Sequence, residues 1–184
     1  MKKTLTHVFL LMLVCVLSLS LVACGGKESK PAEGGSETTE GVDWTQYPEK
    51  FEDWQIANLK AYLRETGVFE NNDWIIDVTG GDLDAIGATA GTMYIDMTGG
   101  TIMDMVFFFD GATDESKGVL DGLRESKEIV PDVEGAPATP MDAMLGGFCF
   151  SYTMGSDADH NAALVKAIKD LADHYSVTPD FIAE

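Results

Sequence analysis

Histidine, basic residues and cysteine are scarce in this sequence. Its 184 residues hold three histidines and three cysteines, and Lys and Arg together number 12 against 31 Asp and Glu. Each shortage excludes something. A net charge of −19 repels nucleic acid and anionic headgroups, so neither a nucleic-acid partner nor polybasic membrane docking is expected. Three histidines, one of them His7 near the start, leave little material for a metal cluster or a catalytic triad. No Ser/His/Asp or Cys/His constellation is readable. H-E-x-x-H, a P-loop frame and G-x-G-x-x-G are all missing. Carboxylates are plentiful, but no pair stands out as general acid and base. No catalytic residue is therefore assigned and no cofactor is expected. A hydrolase assembled from scattered carboxylates is the weakest of three functional readings.

What is present begins with a leader. Lys2 and Lys3 form a positive start, Val8 to Leu17 is an apolar run, and Leu19 to Ala23 lead to a small-residue cleavage region. The run is shorter than the ~20 residues that span a bilayer. Leu21-Val22-Ala23-Cys24, followed by Gly25-Gly26, resembles the lipobox of bacterial lipoproteins. The resemblance covers residues 1 to about 26. It implies that 1–23 are a signal peptide and that Cys24 becomes the lipidated first residue of the mature chain. It also implies a partner, the membrane, and an address on the extracytoplasmic face of the cell membrane. One acyl chain, at roughly 0.8 kcal/mol per buried methylene, holds only reversibly, whereas two or more anchor stably.

Processing of this kind removes Lys2 and Lys3 and takes the net charge from −19 to −21. It also removes Cys15 and commits Cys24, so Cys149 is left without an intramolecular disulfide partner. In Phe148-Cys149-Phe150 that thiol reads as buried and inert, because no adjacent base or helix start is visible to lower its pKa.

Residues 24–41 read as the lipidated cysteine and a Gly/Ser/Glu tether. The stretch lacks large apolar groups, is expected to be disordered, and would reach about 20–25 Å as a flexible coil. Residues 42–184 then suffice for a single domain. A first helix is predicted from Pro48 to about Thr66, stopped by Gly67. Trp74 to Thr79 alternate like a strand. Thr92–Thr98 and Thr101–Phe109 flank Gly99-Gly100, the clearest hairpin signal. A second helix capped by Thr113 or Asp114 runs to about Lys127. Residues 128–138 read as a loop, Thr139-Pro140 as the opening of a short helix ending at Gly146, and Gly147–Met154 as a fourth strand. A last helix, capped by Ser156 or Asp157, runs to about Tyr175. The order predicts an α+β domain: a small antiparallel or mixed sheet of about four strands with helices packed on it.

The candidate ligand residues are Trp44, Tyr47 and Trp54, with Phe51 between them, and Asp82 and Asp84. The aromatics recur at helical spacing, which suits a stacking platform for a sugar or peptide fragment but suits a core still better. Asp82 and Asp84 sit in a glycine-rich stretch, Gly80 to Gly91, that permits close backbone approach. Asp157, Asp159 and His160 resemble the start of a calcium loop, but the template's glycine is missing and its closing acid falls on Ile168. Helix capping accounts for these acids, and no metal is expected. Met93, Met97, Met103, Met105, Met141, Met144 and Met154 are read as core filling. Phe107-Phe108-Phe109 demand apolar surroundings on both sides of one strand, which fits a central strand covered on both faces better than a strand with one face left as a partner site. The functional expectation is a binding or accessory interaction module at the cell surface, with an envelope protein as partner. A small-ligand receptor is the alternative.

Overall fold

The structure is a computed structural model, and it describes residues 41–70, 74–98, 101–153, 155 and 157–183. Cys24, the leader, nearly all of the tether, Gly99-Gly100, Met154 and Ser156 lie outside the described residues.

The elements are α1 (Ile56–Glu65), β1 (Ile75–Val78), α2 (Gly81–Asp84), β2 (Ala90–Asp96), β3 (Ile102–Phe108) and α3 (Asp114–Ser126). They are followed by β4 (Glu128–Ile129), β5 (Thr139–Pro140), β6 (Ala143–Leu145), β7 (Phe148–Ser151), α4 (Ala158–Tyr175) and β8 (Phe181–Ile182). Six strands form one sheet in the order β1-β2-β3-β7-β6-β8, and every pairing in it is antiparallel. The class is α+β. The sheet has six strands rather than four, and β4 and β5 form a separate two-stranded ribbon.

Strand alternation sorts the core into two layers. Val106, Phe108, Phe148 and Phe150 face α1 and α4, where Leu59, Tyr62, Leu63, Leu164, Ile168 and Leu171 are buried. Phe107, Met144 and Cys149 face the other way, against Leu120 and Leu123 of α3. Phe107, Phe108 and Phe109 are thus all buried, around a strand covered on both sides. Cys149 is a free, fully buried thiol pushed up to about 12 by burial. Met93, Met141 and Met144 fill core, whereas Met97 is 47% exposed.

The helix ends follow local chemistry. Thr113 Oγ1 accepts from Ser116 N–H at 3.1 Å and opens α3. Asp157 Oδ1 accepts from His160 N–H at 2.8 Å and opens α4. Both fit the preference for small oxygen-bearing side chains at helix starts.

Two predicted helices are corrected. The one expected from Pro48 is a single 3-10 turn at Phe51–Asp53, then extended backbone at Trp54 and Gln55, then α1. Trp54 is wholly buried, and the break turns its ring into the core. Asn58 Oδ1 accepts from Gln55 N–H at 2.9 Å and restarts the helix. The helix expected from Thr139-Pro140 is strand instead: β5 pairs with β4, and β6 pairs with β7 and β8. Met141 to Leu145 are all buried. A strand between two layers buries both of its faces, which a short amphipathic helix cannot do.

Candidate functional site

The two ends of the sheet carry the two cavities of interest, and α4 runs between them. Near the end of β3, the start of β7 and the last turn of α4 lies a groove of about 670 Å³. Its walls include Phe51, Trp54, Phe108, Phe148 and Tyr175, with Gly146-Gly147 among them. Charged residues, Glu49, Lys50, Glu52, Asp110 and Arg124, complete the lining, and the size fits that of small-molecule sites.

Two glycines let the groove's own walls pack closely. Gly146 adopts φ +58°, and a Cβ there would come within 2.9 Å of Phe51 Cε1. At Gly147 a Cβ would lie 2.3 Å from the Phe109 carbonyl oxygen. That close approach brings the Phe109 N–H to donate to the Gly147 oxygen at 2.9 Å. Phe51 and Tyr175 are half-buried, whereas Trp54, Phe108 and Phe148 are buried beneath them. Tyr175 is fixed by donating to the Pro48 carbonyl at 2.6 Å.

Charge in the groove lining is mostly committed. Lys50 pairs with Glu52 at 3.3 Å. Arg124 is held between Asp180 at 2.7 Å and Asp121 at 2.8 Å, and the hydrogen bond to Asp180 chiefly raises its pKa. Asp110 Oδ1 accepts from the Ala112 N–H at 3.0 Å. Trp54 Nε1 is a buried donor without an acceptor.

The structure gathers the predicted aromatics into one cluster, and their faces are largely taken by protein. Trp44 stacks on His174 at 3.7 Å and 6°. Tyr47 stacks on Trp54 at 5.2 Å and donates its hydroxyl to Glu65 Oε2 at 2.6 Å. Burial raises the Tyr47 phenol well above its ordinary value, and the Glu65 bond adds to this. Of the three candidates Trp44, Tyr47 and Trp54, only Trp54 lines the groove. Asp82 and Asp84 lie on the single turn α2 and line neither cavity.

The second cavity, about 380 Å³, lies by the first turn of α4, and Tyr94, Asp96, Asp157, Asp159 and His160 are in its lining. Behind it His160 Nε2 meets Asp104 Oδ2 at 2.6 Å, with both side chains buried. Asp104 comes from β3, opposite Tyr94 of β2, and its other carboxyl oxygen has no partner. Burial holds its pKa above the ordinary carboxylate value, and the hydrogen bond from His160 opposes that shift. Sequence reasoning missed this pair because 56 residues separate its members. The available signal was an acid inside the apolar run Ile102 to Phe109.

Comparison of the chain with protein-family models, with curated proteins and with solved structures finds no match.

Proposed function

We propose that this chain is a lipid-anchored module on the extracytoplasmic face of a cell membrane, acting by binding a small ligand in the groove beside β7. Anchoring rests on the lipobox-like Leu21-Val22-Ala23-Cys24 after an apolar run. Binding rests on one observation: a groove of about 670 Å³ lined by aromatic rings, Phe51, Trp54, Phe108, Phe148 and Tyr175. A groove of this volume, lined by both rings and charged groups, suits a small ligand.

Tryptophan emission tests this reading. The chain has three tryptophans, of which Trp54 alone lines the groove. Titration with a library of small polar fragments is expected to yield saturable emission changes that disappear in Trp54→Phe. Changes that persist in Trp54→Phe, or an absence of saturable responders, would contradict it.

A further inference from the structure

We infer that the groove takes a neutral, hydroxyl-rich ring compound, of the class of a short hexose oligosaccharide. This rests on the reading of the groove as a ligand site and adds the chemistry of the ligand. Three features of the lining select it.

The first is charge. Lys50 is paired with Glu52, and Arg124 is shared by Asp121 and Asp180. Both cations thus have carboxylate partners, while among the described residues Glu49 and the second oxygen of Asp110 carry no hydrogen bond or ion pair. An anion entering here meets uncompensated carboxylates in a chain already at −19. The ligand is therefore neutral or cationic and brings donors.

The second is Trp54. Its indole N–H is buried without an acceptor, and an unpaired buried donor carries a desolvation penalty that an incoming oxygen relieves. Trp54 lines the groove, and its ring lies 6.2 Å from the half-buried Phe51 ring. An ammonium group has no acceptor to offer. A hydroxyl both donates to carboxylates and accepts from the indole.

The third is the wall. Phe51 and Tyr175 are the half-buried rings at the opening, 6.0 Å apart and inclined at 51°. They present apolar surface to the C–H face of a pyranose ring. A linear ammonium ligand uses this surface poorly.

Calorimetric titration of the full chain in detergent decides the point, with maltotriose, cellotriose and tri-N-acetylglucosamine as neutral probes and trilysine as the cationic one. At least one trisaccharide is expected to bind one-to-one. Glu49→Gln or Asp110→Asn, the latter retaining Oδ1 for Ala112, should weaken it about tenfold by removing a charged acceptor. Binding of trilysine alone, weakened by the same substitutions, would overturn the oligosaccharide and leave the groove as a ligand site. Trisaccharide binding untouched by these substitutions and by Trp54→Phe would overturn both. Binding of none of the four probes would overturn the oligosaccharide assignment, while the fragment titration of Trp54 emission still judges the groove independently.

Discussion

Asp104 and Asp142 show how differently two buried carboxylates behave. Asp142 is 6% exposed and accepts from Tyr152 N–H at 2.7 Å, Thr153 N–H at 2.8 Å and Thr153 Oγ1–H at 2.6 Å. Those bonds tie the segment after β7 to the residue before β6. Asp142→Ala strands the two backbone donors and is expected to cost about 2–4 kcal/mol in urea unfolding. Asp104 has one oxygen on His160 and none on the other. Because burial raises its pKa, the folded state binds that proton more tightly than the unfolded chain does. The resulting stabilisation is present at low pH and is lost as pH rises from the ordinary value of 3.8 through the raised one. Asp104→Asn lacks this titration. Relative to the parent it should therefore gain stability as pH rises above the ordinary carboxylate value of 3.8, as read by urea unfolding at several pH values. A parent–variant difference constant across those pH values would show that Asp104 does not carry the effect.

At the scale of elements, α3 offers the simplest test of local propensity. Gly118 and Gly122 lie within it, and a Cβ at either meets nothing within 4 Å. Each Gly→Ala change there should stabilise the fold by about 0.8–1 kcal/mol, seen as a raised thermal midpoint. Gly147→Ala should do the reverse, because its Cβ would lie 2.3 Å from a backbone oxygen rather than from a yielding side-chain tip.

The same elements show what was legible in the sequence. The starts of α3 and α4 were legible to within a residue, as Thr113 or Asp114 and Ser156 or Asp157, because a cap is a local event within one turn; Thr113 and Asp157 are the caps. The β2–β3 hairpin was legible from its flanks, but its register was not: Asp96 lies opposite Ile102, one residue away from the Asp96–Met103 pairing that a two-residue Gly99-Gly100 loop would impose. β6 and β8, of three and two residues, are too short to display a period. Trp54 carried a helical spacing signal with its aromatic neighbours, and core packing overrode it. The groove was illegible because its walls come from the Phe51 turn, the end of β3, the β6–β7 connection and the end of α4. Its only local trace was the doublet Gly146-Gly147.

At the scale of the molecule, two claims stand together: a tether at Cys24 and a ligand groove in the domain. The first predicts that Cys24→Ala leaves the membrane fraction or accumulates as unprocessed precursor; normal cleavage with unchanged fractionation would contradict it. The second is the central one, and amide chemical-shift mapping tests it most directly. Addition of a bound ligand should move the resonances of Asp110, Gly146 and Gly147, at one end of α4, and leave Asp159 and His160 in place. An 18-residue helix separates the two ends by roughly 27 Å, so the outcomes do not blur. Shifts centred on the His160 cleft, or scattered without a centre, would contradict the assignment of the groove.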